Sequence, residues 1–93
     1  MTSFVLEFHD ATTGDLLGGG GDSTHFGGVL PRVGDVVLEP LSKKHFGMPR
    51  DVDKYYAFEI LKVCFIPHLN GGPLLVKAFT TQRQLSEAER ELL

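Results

Sequence analysis

Tyr55-Tyr56-Ala57-Phe58-Glu59-Ile60-Leu61-Lys62-Val63-Cys64-Phe65-Ile66 is the longest run of the chain that reads as one element. It holds no Gly or Pro and is rich in β-branched and aromatic residues, the composition of a strand. Its alternation slips partway. Tyr56, Phe58 and Ile60 are in phase, but the next apolar set is Leu61, Val63 and Phe65. Glu59 and Lys62 are three apart, yet both belong in water. One extra residue near Ile60–Leu61 reconciles the two halves, so a β-bulge or sharp bend is expected there. A long strand needs such a feature to curl around a small barrel.

The flanking segments supply partners for this strand. Pro67 ends it, Asn70-Gly71-Gly72 provides the positive-φ residues of a hairpin turn, and Leu74 to Thr80 returns antiparallel. Upstream, Pro31-Arg32-Val33-Gly34-Asp35 is a turn that launches Val36-Val37-Leu38-Glu39, and Pro40 closes that strand. At the N-terminus, Phe4, Leu6 and Phe8 alternate with Val5, Glu7 and His9, as in a half-buried strand. Asp10 to Asp15 is a turn and Leu16-Leu17 begins a return. The following Gly18–Gly21 run cannot pack side chains and reads as a mobile loop or an irregular strand edge. Residues 41–53 read as an exposed loop. At the other end Ser86 can N-cap a helix with Glu89 completing a capping box, and Leu85, Ala88 and Leu92 share a face that could dock on the sheet.

Together these elements predict one mainly β domain over 1–93. It is a small, strongly bent antiparallel barrel, SH3-like or OB-like, over about 3–80, with a short C-terminal helix over about 86–93. The chain has 93 residues, 42% of them hydrophobic, which excludes a disordered chain and limits the core to one small domain. The single cysteine, Cys64, excludes a disulfide scaffold. No apolar run is long enough for a transmembrane helix and no signal-peptide pattern opens the chain. The expectation is a soluble cytoplasmic protein with no membrane partner.

Apolar residues exceed what one face needs. The inner set is expected to be Phe4, Leu6, Phe8, Val36, Leu38, Tyr56, Phe58, Ile60, Leu61, Val63, Phe65, Val76 and Ala78. The opposite faces carry Val5, Val37, Tyr55, Leu75 and Phe79, a patch that monomers usually avoid. Val5, Val37, Leu75 and Phe79 are therefore candidate residues of an interface between copies of the chain.

Net charge is −3, unlike the strongly basic balance of a dedicated duplex-binding domain. The charge is uneven. Residues 1–31 carry Glu7, Asp10, Asp15 and Asp22 and no Lys or Arg. The basic groups gather instead at Lys43, Lys44, His45, Arg50 and Lys54, beside Tyr55. This segment is the candidate ligand-binding site, since cations hold phosphates while exposed rings stack bases. Asp51 and Asp53 within it weaken the signal.

No catalytic constellation emerges. Asp22-Ser23-Thr24-His25 has the residue types of a hydrolase triad, but neighbours on an extended chain point apart and the surrounding glycines give no rigid support. Gly18–Gly21 lacks the Gly-Lys-Ser/Thr of a phosphate loop and is followed by Asp22. No two of His9, His25, His45 and His68 have helical ligand spacing, so no metal site or cofactor is expected.

The Thr13-Gly14-Asp15-Leu16-Leu17 return, the Pro31–Asp35 turn before a Val-rich strand, the Tyr55–Val63 strand and the Asn70-Gly71-Gly72 hairpin make a recognisable layout over about residues 3–80. It resembles small uncharacterised β-barrel proteins of bacterial mobile elements, of the integron gene-cassette type. The likeness is architectural and carries no functional residue; the four-glycine run and the capped helix depart from it. The expected function is a non-enzymatic, homo-oligomeric β-barrel binding or interaction module. One alternative is a single-stranded nucleic-acid binder using the 43–55 segment. Another is a small enzyme or metal-dependent protein using His9, His25 or Cys64.

Overall fold

The computed structural model describes residues 3–40, 51–68 and 70–93. In chain order these form β1 (Phe4–Asp10), β2 (Leu16–Asp22), β3 (Val36–Pro40), a 3-10 turn (Val52–Lys54), β4 (Tyr55–Ile66), β5 (Leu74–Gln84) and α1 (Glu87–Leu92). The strands make one sheet in the order β2-β1-β5-β4-β3, curled into a half-barrel. The molecule is mainly β with one short C-terminal helix, as its sequence predicts.

β4 carries the expected bulge. Its ladder with β5 pairs Ile60 with Thr80 and then Lys62 with Phe79, so Leu61 is the extra residue. An inserted residue sharpens the local twist and bends the strand. Before the bulge Phe58 and Ile60 face the concave side, and after it Val63 does. Curling lets residues two strands apart touch. Phe8 of β1 and Phe58 of β4 stack with ring centres 5.1 Å apart over the intervening β5, where small Ala78 lies opposite Phe8. The core consists of Phe4, Leu6, Phe8, Phe58, Ile60, Val76 and Ala78.

Turn chemistry behaves as read. Asp35 donates its backbone N–H to the Arg32 carbonyl, and its carboxylate accepts from the Arg32 N–H at 2.8 Å. Gly71 sits at φ 78° between β4 and β5, a conformation that L side chains resist. The glycine run is an irregular edge strand: β2 pairs with β1 through two register shifts.

Several expectations are corrected. The sheet is not wholly antiparallel, because β1 runs parallel to β5. A hairpin at each end of the chain brings the first and last strands side by side in the same direction. The phase of β3 is inverted. Val37 pairs with Phe58 and packs on the core, whereas Val36 and Leu38 pair with Glu59 and Ala57 on the convex side. Val37 therefore does not share the outer face of Val5, Leu75 and Phe79. Leu61 is 51% exposed because a bulge residue has no ladder place, and Phe65 is 53% exposed because β3 pairs with β4 only as far as Glu59 and leaves its end without a neighbour on that side. Tyr55 does lie on the convex side but is 5% exposed. β5 continues to Gln84, beyond the expected end at Thr80.

The helix forms as its capping box requires. Ser86 accepts from the Glu89 N–H, and Glu89 accepts from the Ser86 N–H. Apolar docking does not hold it, since none of its residues is buried. Ion pairs do. Arg83 grips both oxygens of Glu89 at 2.6 and 2.9 Å and reaches Glu59 at 2.7 Å, while Arg90 meets Asp53 at 2.7 Å. The Arg83 guanidinium holds the Glu89 carboxyl down at about 2. Among the described residues no helix is long and apolar enough to cross a membrane.

Candidate functional site

The two edges of the half-barrel, β2 and β3, do not pair with each other. Residues 23–35 carry the chain from one edge to the other and place Phe26 and Leu30 against the core. Phe26 lies 6.2 Å from Phe4 between ring centres, so this connection plugs the barrel interior. Beside the plug the seam stays open as a cavity of about 890 Å³. That lies within the range of small-molecule sites. One wall comes from β1 and β2 with the turn after them: Leu6, Gly21, Asp22, His25 and Phe26. The other comes from β3: Val37, Leu38 and Glu39.

Glu39 reaches the cavity because β3 takes its phase from β4. It pairs with Tyr56 and follows Val37 on the concave side. Among the described residues its carboxyl has no hydrogen-bond or ion-pair partner. Burial disfavours the charged form and pushes it up to about 7. A carboxyl desolvated inside a cleft is a candidate functional group.

The opposite wall is built by a local turn. Asp22 ends β2, and its carboxylate accepts the Thr24 N–H at 2.9 Å and lies 3.0 Å from His25 Nδ1. The Thr24 N–H, followed by the His25 ring, holds the Asp22 carboxyl below its ordinary value. In the other tautomer Nδ1 accepts the Asp22 N–H, 3.2 Å away. Gly21 makes room for the ring. Its φ is 99°, and a Cβ there would lie 3.1 Å from the imidazole.

Two members of the Asp22–His25 sequence cluster thus meet, but no Ser23 or Thr24 hydroxyl bonds the imidazole among the described residues. The imidazole itself is largely exposed. His9 is buried at the far end of β1, with its ring nitrogens 3.0 Å from the Gly14 carbonyl and 3.3 Å from the Glu7 carboxylate. Cys64 faces the convex side opposite Lys77. His9, His25 and Cys64 therefore do not converge. Among the described residues no three His, Cys, Asp or Glu side chains gather as metal ligands.

Of the basic segment, Lys43, Lys44, His45 and Arg50 lie outside the described residues. Lys54 is exposed at the end of the 3-10 turn. Tyr55, expected as a stacking ring beside them, is buried, so its face is closed to a base. On the convex side Val5, Leu75 and Ile66 form one row across β1, β5 and β4. Phe79 sits in a separate row, flanked by His9 at 5.2 Å and by the Lys62 ammonium at 5.6 Å.

Sequence reasoning missed Glu39. Val36 and Leu38 share one face and Val37 and Glu39 the other, so a period of two turns Glu39 outward. The cross-strand partner Phe58 sets the phase instead, and that pairing is a tertiary fact. Comparison with protein-family models, with curated proteins and with solved structures finds no match, so the seam is interpreted from its own geometry.

Proposed function

We propose that the protein is a non-enzymatic binding module that takes a small ligand into the open seam of its half-barrel. The observation carrying this reading is the cavity between the unpaired edges β2 and β3, walled by apolar side chains with a few polar groups. That composition suits binding, where apolar area supplies affinity and sparse polar groups set orientation. A cytoplasmic setting belongs to the reading; its support is one free cysteine, which a reducing compartment tolerates. The test is an amide NMR titration of the whole chain with a panel of small apolar and amphiphilic compounds. Resonances of Gly21, Asp22, His25, Phe26, Val37 and Glu39 should move together. Shifts confined to the convex face, or none at millimolar ligand, refute the reading.

A second reading, self-association, is favoured by the Val5–Leu75–Ile66 row, in which Val5 and Ile66 are exposed. Three adjacent strands contribute to it, and contiguous apolar area of this kind drives isologous pairing. Light scattering after size exclusion tests it. A dimer that Leu75→Asp converts to monomer supports it, and a wild-type monomer at high micromolar concentration overturns it.

A further inference from the structure

We propose that the seam is selective for organic cations: a ligand with an ammonium group on an apolar body, the charge held by Glu39 and the body packed on Phe26 and Val37. The inference rests on the reading of the seam as a binding site and specifies what that site takes. Three observations carry it. The described lining includes two carboxyl side chains, Glu39 and Asp22, one on each wall, and no Lys or Arg. Residues 1–31, which build one whole wall, hold four acids and no Lys or Arg, so that wall carries the same sign. Glu39 also lacks a partner among the described residues, whereas Asp22 is already held by Thr24 and His25.

An unpaired carboxyl in an apolar cleft is costly to ionise, and a ligand cation offsets that cost directly. The burial that pushes Glu39 up to about 7 is the same effect in the empty site. A bare metal ion fits poorly, since the remaining lining offers mostly carbon. An aromatic amine fits better. Its ring has Phe26 to pack against and its N–H groups have a carboxylate acceptor.

Charge recognition has a pH signature. The ammonium must meet an ionised Glu39, so affinity should rise between about pH 6 and 8 while an ordinary amine stays protonated. Among the described residues, the other titratable groups sharing this space are Asp22 and His25 on the opposite wall and Tyr56 beside Glu39 on β4. The variant E39Q separates Glu39 from them.

The experiment is calorimetry with three matched probes: 3-phenylpropylamine, 3-phenylpropanol and 3-phenylpropanoate. At pH 8 the amine should bind at least about tenfold tighter than the alcohol, and the carboxylate weakest. E39Q should bring the amine to the level of the alcohol and remove most of the pH dependence. E91Q, on the exposed helix, should change nothing; an equal loss in E91Q would mean non-specific attraction and overturn the proposal. Equal binding of amine and alcohol keeps the seam as a site and overturns its charge selectivity. Failure of all three probes to bind overturns both readings. An amide spectrum of E39Q matching wild type away from the seam guards against misfolding.

Discussion

Replacing Glu39 by Gln should make the protein more stable, and only at neutral to alkaline pH. Moving a carboxyl from 4.5 to about 7 corresponds to roughly 3.4 kcal/mol, at 1.36 kcal/mol per pKa unit. The side chain is only partly buried, and solvent screening reduces this to about 1–2 kcal/mol. The sign follows from proton binding. Between pH 4.5 and about 7 the folded chain holds a proton on Glu39 that the unfolded chain has lost. Stability therefore falls as pH rises through that window and is lowest above it. Gln carries no charge to desolvate, so E39Q should match wild type near pH 4.5 and exceed it by about 1–2 kcal/mol at pH 8. For a domain of this size that is a rise in melting temperature of roughly 4–16 °C. Thermal melts followed by circular dichroism, both proteins at pH 5 and pH 8, read the difference directly. Melting curves that keep the same separation at both pH values would falsify the account, because the carboxyl would not then be desolvated.

Other perturbations probe the frame around the seam. Gly21→Ala forces a Cβ into a positive-φ position 3.1 Å from the His25 ring. It should cost about 1–2 kcal/mol in urea unfolding and shift the His25 ring resonances, and an unchanged His25 spectrum would contradict the packing. Leu61→Asp should fall within about 0.5 kcal/mol of wild type because the bulge residue is exposed, whereas Ile60→Ala should cost roughly 2–5 kcal/mol. Denaturation midpoints of the pair check the register, and a larger loss at Leu61 reverses it. Arg83→Ala removes the Glu89 pair that ties α1 to β5, along with the Glu59 pair between β5 and β4, and leaves Arg90–Asp53 in place. Amide hydrogen exchange should quicken across residues 89–92 while the global melt barely moves, and unaltered exchange would mean the Glu89 pair does not hold the helix.

What could be read in advance divides along the range of the interaction. The bulge at Leu61 was legible because Glu59 and Lys62 cannot both meet water on an unbroken strand, a conflict contained within a few residues. The Ser86–Glu89 capping box and the Pro31–Asp35 turn were legible for the same reason. The parallel pairing of β1 with β5 was not, because nothing local to either strand specifies a neighbour some seventy positions away. Nor was the phase of β3, where alternation turns Glu39 outward and the pairing of Val37 with Phe58 turns it inward. The seam inherits that ambiguity. With the opposite phase Glu39 reads as an ordinary solvated carboxyl, so the residue on which the site depends was invisible until the partner strand was known. The same limit hid the attachment of α1. Leu85, Ala88 and Leu92 share a helical face, yet α1 buries none of its residues and is tied down by Arg83, which bonds Glu59 and Glu89, and by Arg90, which meets Asp53.

The open seam and the half-buried carboxyl explain each other. A curled sheet gains stability by covering its edges, and here Phe26 and Leu30 already cover part of the interior. Filling the remaining gap with apolar side chains needs only larger residues at Gly19 or Val37 and a neutral residue at Glu39. The chain instead has glycines along β2, which leave room, and an acid on β3, which costs stability above about pH 7. Both choices weaken the fold in the same place. Local rules broken without structural compensation are the usual trace of a site kept for a ligand. A cation bound there stabilises the fold by mass action and restores what the unpaired charge removes. At pH 8 the wild type should then gain stability with the logarithm of the amine concentration while E39Q gains far less, a difference that packing defects alone do not produce.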